Sequence, residues 1–270
     1  MIDLHIKSPK LLVIGDLIID QYLWGDSDRI SPEAPVQVIN IKNESASLGG
    51  AGNVISNLKA LGAQVDILSV IGKCETSNEL KQLLKKTKIS TKYLITQNDR
   101  ITSKKNRIIA SQQQVIRFDR ENTEEISIKS QDLILETFKK IIEDYEIILL
   151  SDYGKGLLTF NLTCSLINIA NKHNKKVLVD PKGKNFSKYK GAYLLTPNKK
   201  EASEASKINI KDDFSLTNAL VHLKLEYNLA VSLITLSEEG IAIYDDKLSI
   251  QPTYSKEVYD VTGAGDTVLA

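Results

Sequence analysis

The sequence predicts an α/β protein, a three-layer α/β/α sandwich with a mostly parallel sheet and a small β-strand lid. Short continuous apolar runs at 11–14, 147–150 and 231–235 fit strands buried on both faces. From Ser130 onward such runs alternate with stretches of helical apolar spacing, and repeated β-α units imply a parallel sheet covered on both sides. Two partly alternating segments interrupt that pattern and read as the lid.

The first apolar run, Leu11-Leu12-Val13-Ile14, ends in Gly15-Asp16, and ligands are expected outside the carboxyl ends of such strands. Residues 21–43 contain proline and alternate in part, through Val36 and Val38, then Ile39 and Ile41, which suits an antiparallel excursion. Gly49 to Gly52 opens a helix whose apolar residues Val54, Ile55, Leu58 and Leu61 share one face before Gly62 ends it. A strand at 65–71 and a helix at 79–86 follow. Residues 93–96 and 102–118 look strand-rich and are assigned to the second half of the lid, giving lid segments at about 20–45 and 95–120. Leu133, Ile134, Phe138, Ile141, Ile142 and Tyr145 then line a helical face. After it come a strand at 147–150, a helix at 162–172 and strands at 177–179 and 193–195. A helix around 215–227 and a strand at 231–235 complete the series. No linker interrupts residues 1–270, which read as one domain. A helix starting at Gly263 has barely two turns before Ala270, which predicts that the fold continues past this point.

Lys and Arg total 35 against 34 Asp and Glu, and a net charge of +1 gives no reason to expect nucleic acid or a membrane surface as partner. Cys74 and Cys164 lack metal-ligand or redox spacing, and His5, His173 and His222 stand apart from any ligand cluster. With no apolar segment long enough to span a bilayer and no leader-like apolar core, a soluble, cytoplasmic protein is expected.

The chemistry gathers at Asp260-Val-Thr-Gly263-Ala264-Gly265-Asp266-Thr267. Val258, Tyr259 and Val261 are strand formers, whereas Gly263-Ala264-Gly265 carries no bulky side chain and lets an anion approach the backbone. Amides at the start of a helix there would cradle a transferring phosphoryl group, and Asp266 in the first turn would accept the proton of an attacking hydroxyl. Alternatively, Thr262 caps the helix and Asp266 complements its dipole. Asp16, Asp20 and Asn53 fall at strand and helix ends, where carboxylates and an amide suit a polyhydroxylated substrate but also suit turns and caps. No P-loop occurs, because Gly72-Lys73 is followed by Cys74, and neither Gly50-x-Gly52 nor Gly263-x-Gly265 completes a dinucleotide fingerprint.

Thr262-Gly-Ala-Gly-Asp266 resembles the signature of PfkB-type, ribokinase-like sugar kinases, and Gly49-Gly50-Ala51-Gly52-Asn53, about 210 residues upstream, resembles that family's other signature. The resemblance implies that Asp266 is the base, that Gly263, Ala264 and Gly265 form the anion hole, and that Asp16, Asp20, Gly49, Gly50 and Asn53 bind the sugar. Asn198-Lys-Lys-Glu201 resembles the element that positions Mg²⁺ and the ATP phosphates, with Glu201 acting through water, although it also reads as a helix start. Thr235, Ser237 and Gly240 resemble the nucleotide-side turn.

Three further segments, Arg29-Ile-Ser-Pro-Glu-Ala-Pro35, Leu150-Ser-Asp152-Tyr153-Gly154-Lys155-Gly156 and Val179-Asp180-Pro-Lys182-Gly, resemble bacterial heptose kinases that often precede a fused adenylyltransferase domain. That likeness implies ATP-dependent phosphorylation of D-glycero-β-D-manno-heptose 7-phosphate at its anomeric oxygen, on the route to ADP-heptose and the lipopolysaccharide core. Asp152 and Lys155 then join the substrate site. Lys104, Lys105, Arg107 and Arg117, with Lys182, become candidates for the phosphate already on the sugar. A kinase of another phosphosugar or a nucleoside, and a non-catalytic sugar-binding domain, are the alternatives. A homodimer through paired lids is also implied.

Overall fold

Leu11, Leu12, Val13 and Ile14 offer no polar side chain to water, so their strand requires cover on both faces. In the computed structural model, which describes residues 8–253 and 263–270, that strand lies inside a large sheet. The chain begins with β1 (Lys10–Gly15), β2 (Leu17–Ile30), β3 (Gln37–Gly50), α1 (Ala51–Ala60), β4 (Gln64–Gly72), α2 (Glu75–Lys86) and β5 (Tyr93–Gln97). It continues with β6 (Ser103–Ala110), β7 (Gln113–Arg120), α3 (Ile128–Ile141), β8 (Ile147–Ser151), α4 (Phe160–Lys172), β9 (Lys176–Asp180) and β10 (Leu194–Leu195). The last elements are α5 (Lys199–Ser206), α6 (Asp213–Glu226), β11 (Val231–Thr235), β12 (Ile241–Tyr244), β13 (Leu248–Gln251) and α7 (Ala264–Leu269).

Among the described residues the large sheet has nine strands in the order β13-β12-β11-β10-β9-β8-β1-β4-β5. It is parallel from β11 through β5, whereas β12 and β13 add an antiparallel hairpin at one edge. The period-2 geometry of a strand divides β1 between two cores. Leu12 and Ile14 join Phe138, Leu150, Leu166 and Val179 on one face, whereas Leu11 and Val13 join Val54, Ile55, Leu80 and Leu269 on the other. The three layers are therefore those the apolar pattern predicts.

The second sheet has the order β3-β2-β6-β7 and forms the lid. β2 and β3 make a long antiparallel pair, β6 runs parallel to β2, and β7 returns antiparallel to β6. Lid strands thus span 17–30, 37–50, 103–110 and 113–120. The outer lid carries exposed apolar side chains, including Trp24, Val36, Ile116 and Phe118.

Several expectations need correction. Residues 93–96, assigned to the lid, belong to β5, the parallel edge strand beside β4. Tyr93 and Ile95 pack toward one core and Leu94 toward the other, the two-sided burial of a main-sheet strand. The hairpin β12–β13 was missed because each strand is only four residues long, and α5 was raised only as the helix-start alternative at Asn198–Glu201. α2 begins at Glu75 rather than 79. The strand expected to lead into the glycine motif, with Val258, Tyr259 and Val261, and the cap Thr262 lie outside the described residues.

The loop between β8 and α4 is pinned to the stretch before α3, where the Ile126 amide donates to the Gly156 carbonyl at 2.9 Å. Gly156 has φ 83°, and a Cβ there would overlap the Glu124 carbonyl. Gly156→Ala is expected to lower unfolding stability by about 1–3 kcal/mol, measured by urea denaturation.

Candidate active site

Many of the residues expected to form the site collect where β1, β8 and β9 end and the lid begins. Asp16, immediately after β1, is buried, and both its oxygens are taken by backbone amides of the following crossover loop. Oδ2 accepts from the Tyr153 amide at 3.0 Å and the Lys155 amide at 3.1 Å, and Oδ1 accepts from the Leu157 amide at 3.3 Å. Burial and then the neighbouring Asp152 raise its pKa, and the three amides oppose them. The Asp16 backbone also accepts the Ala51 amide at 3.0 Å, fixing the start of α1.

Both structures held by Asp16 reach Asp266. The Asn53 side-chain amide, on α1, donates to Oδ2 at 2.7 Å, and the Tyr153 hydroxyl donates to Oδ1 at 2.6 Å. Asp266 is buried, and burial raises its pKa above the ordinary carboxyl value while the bonds from Tyr153 and Asn53 favour the ionised form. Asp20 raises it further and Lys105 opposes that, so the charges of the lid act on this carboxylate. Burial and the Asp266 charge push the Tyr153 phenol far up, which keeps it a donor at neutral pH. Gly263, the residue before α7, has φ 80°, and a Cβ there would strike the Asn53 amide. A Cβ on Gly265 would meet nothing within 4 Å, so the second glycine keeps open space beside Asp266. Ala264 is the first helical residue between them.

The lid supplies the opposite wall. Asp20 on β2 lies across from Lys105 on β6, and the Arg107 guanidinium binds Asp20 Oδ1 at 2.6 Å. A Cβ on Gly49 would fall on the Asp20 carboxylate; Gly50, with φ 58° and ψ −135°, a backbone region open mainly to glycine, turns β3 into α1. Lys105 lies 5.4 Å from the Tyr153 ring centroid, and burial lowers its pKa, with Asp20 opposing. Arg117 pairs across from Arg107 and holds Asp119 at 2.6 Å. Lys104 is the exception among the expected basic residues: it points to the other face of β6 and binds Glu79 at 2.7 Å.

Besides Asp16, two more residues expected to touch substrate are engaged with the protein itself. Asp152 is buried, with Oδ2 accepting from Lys188 at 2.6 Å and the Tyr189 hydroxyl at 2.7 Å and Oδ1 accepting from the Gly154 amide at 2.8 Å. Lys155 turns its ammonium to Glu121 at 2.7 Å, and its carbonyl accepts from Arg100. Asp152 and Lys155, like Asp16, thus brace the loop that carries Tyr153.

At the carboxyl end of β10, Asn198 and Glu201, expected to meet the nucleotide and its Mg²⁺, form a reciprocal capping box at the start of α5, the helix-start alternative raised by the sequence. Glu201 also accepts from Lys182 at 3.0 Å. Asn198 bridges Thr235, whose amide donates to the Pro197 carbonyl at 2.9 Å, and Ser237 and Gly240 form the turn that feeds β12. Next to this set stands Asp180, a residue to which sequence reasoning gave no role. Burial, then the charges of Asp266 and Glu201, push its carboxyl up to about 7. The oxygen chemistry of Asp180 and Glu201 fits Mg²⁺, and the two carboxylates relieve their mutual repulsion if a cation joins them. Among the described residues no group of three or more His, Cys, Asp or Glu could hold a metal, as suits an ion that keeps much of its water.

Similarities to known proteins agree with this geometry. The structure superimposes on phosphofructokinase-2 from Escherichia coli in complex with potassium with a TM-score of 0.78 at 17% identity, covering 97% of this chain and 84% of that one. The ribokinase of Arabidopsis thaliana complexed with ribose and ATP gives 0.72 at 18% identity, over 96% and 83%. At such identities the likeness establishes a ribokinase-like fold. Residues 8–270 match the pfkB family carbohydrate kinases, and the chain belongs to that family. It is therefore a sugar kinase. Among its relatives, bifunctional protein HldE of Aliarcobacter butzleri is 64% identical over 98% of this chain, and that of Sulfurimonas denitrificans 56% over 97%. The chain spans about half the length of these curated relatives, 56% and 55% respectively.

Because Asp152 is sealed beneath the loop, removing its cation leaves a buried charge without its partner. Lys188→Met is expected to cost about 3 kcal/mol in urea denaturation.

Proposed function

We propose that this kinase transfers the γ-phosphoryl group of ATP to the anomeric hydroxyl of D-glycero-β-D-manno-heptose 7-phosphate, forming the 1,7-bisphosphate and ADP. The observation that carries the reading is Asp266, gripped on both oxygens by Asn53 and Tyr153 and faced by Asp20 and Lys105 of the lid. The 56–64% identity to the HldE proteins supports the heptose substrate over other phosphosugars.

In this reading Asp20, Asn53 and the backbone at Gly49 and Gly50 hold sugar hydroxyls, and Lys105 and Arg107, with Arg117 behind them, hold the 7-phosphate. Asp16, Asp152 and Lys155 position the loop of Tyr153. Asp266 accepts the proton as the sugar oxygen attacks the γ-phosphorus, and the bond to the β–γ bridging oxygen breaks to release ADP. Amides at Gly263, Ala264 and Gly265 receive the developing negative charge, and Gly263 and Gly265 leave room for the phosphate. Asn198, Glu201, Thr235, Ser237 and Gly240 line the nucleotide side. Asp180 and Glu201 would hold Mg²⁺, which neutralises phosphate charge when bound. Closure of the lid excludes water that would otherwise take the phosphoryl group. Two copies meeting through the exposed apolar lid residues, a fused adenylyltransferase and a cytoplasmic setting complete the proposal. Among the described residues no helix is long and apolar enough to cross a membrane.

A coupled ADP assay on the full-length protein tests the substrate: heptose 7-phosphate is expected to give the highest kcat/KM, and faster turnover of fructose 6-phosphate or a nucleoside would replace it. Asp266→Asn is expected to lower kcat by roughly a hundred- to ten-thousand-fold while nucleotide affinity stays close to wild type. Arg107→Met is expected to raise the KM of the phosphosugar by about 10–100-fold and leave that of ATP unchanged. Since Asp266 must be ionised and its pKa is raised, kcat should fall with acidification earlier than an ordinary carboxylate would dictate.

A further inference from the structure

The proton acceptor is held by two donors, and only one of them has a place in the proposed sugar site. Asn53 lies among the hydroxyl-binding residues. Tyr153 does not, yet its hydroxyl makes the shorter of the two bonds, 2.6 Å to Asp266 Oδ1. We propose that Tyr153 is the positioning residue of the base: its phenol fixes the plane of the Asp266 carboxylate and leaves the remaining lone pairs aimed at the sugar hydroxyl. The inference rests on the reading of Asp266 as the base.

The tyrosine is itself fixed at both ends. Its amide is bound by Asp16 at 3.0 Å, and its ring packs beneath the Lys105 ammonium. A carboxylate offers about four acceptor positions, so an oxygen that accepts from a phenol can still take a proton from substrate. A donor gripping each oxygen removes the rotation about the Cβ–Cγ bond that would otherwise carry the carboxylate out of line. The phenol also favours the ionised, competent form, because a hydrogen bond donated to a charged carboxylate oxygen is stronger than one donated to the neutral acid. Because Lys105 belongs to the lid, the contact joins lid position to the base.

The groups facing Asp266 come from every element around it. They are Asn53 on α1, Asp20 on β2, Lys105 on β6, Tyr153 after β8 and Asp180 at the end of β9. Of these, Asp20 and Asp180 disfavour a second negative charge, and Lys105 opposes them. Removing the phenol leaves this balance weighted toward the protonated acid.

The test compares Tyr153→Phe, Asp266→Asn and wild type in the full-length protein, with phosphosugar and ATP varied across pH. Tyr153→Phe is expected to lower kcat by about 10–100-fold, leave both KM values within about twofold, and move the acidic limb of kcat to higher pH. An unchanged kcat, or a loss of kcat with an unmoved limb, would overturn the inference, the latter because a structural support alone does not retune the base. Incorporating 3-fluorotyrosine at position 153 keeps the shape and strengthens the donor, so the limb should move to lower pH; this variant decides the matter if Tyr153→Phe does not fold. Full turnover in Asp266→Asn would instead remove the base assignment itself, and the inference with it.

Discussion

The carboxylate of Asp16 takes three amides from one crossover loop while its own carbonyl takes the first amide of α1. One residue at the end of the central strand therefore sets two elements far apart in sequence. The loop brings Tyr153 and the helix brings Asn53, and the two meet on Asp266. A buried carboxylate is tolerated there because each amide it accepts offsets part of its desolvation. The geometry around Asp266 thus depends on a carboxylate that does not touch it but holds both of its partners in place.

The same economy of placement governs the lid. Neighbouring residues on a strand face opposite ways, so Lys104 and Lys105 part company: one pairs with Glu79 on α2, the other turns to Tyr153 and Asp20. Arg107 shares the face of Lys105 and binds Asp20. Cationic groups on this face would be costly to crowd without Asp20 and Asp119 among them, and those carboxylates hold the basic side chains in place.

Behind the site, carboxylates are distinguished by their partners. Asp152 is matched by Lys188 and Tyr189, which makes it a brace. Asp180 feels the charges of Asp266 and Glu201, which Lys182 and Thr196 offset only in part, and with burial its carboxyl is pushed up to about 7. An arrangement that concentrates negative charge beside the glycine-rich start of α7 suits the cation and polyanion of the proposed function, bound together.

Strand and helix order was legible in residues 11–14, 147–150 and 231–235 because both-face burial demands unbroken apolar runs. The two glycine signatures were legible because close approach and positive φ at Gly50 and Gly263 leave little choice of residue, and the fold brings them together at one end of the sheet. What sequence could not supply was the direction in which each polar side chain turns. Asp16, Asp152 and Lys155 carry the right chemistry for a sugar, but folding brings amides, Lys188 and Glu121 to them first. Tyr153 and Asp180 lay within quoted motifs without a role, because the contacts that define them span 113 residues in the chain for Tyr153 and depend on the crossing of α7 over β9 for Asp180. Local pattern dictates which strands and helices form; the partners of a buried polar group are chosen by long-range packing, which no local pattern encodes.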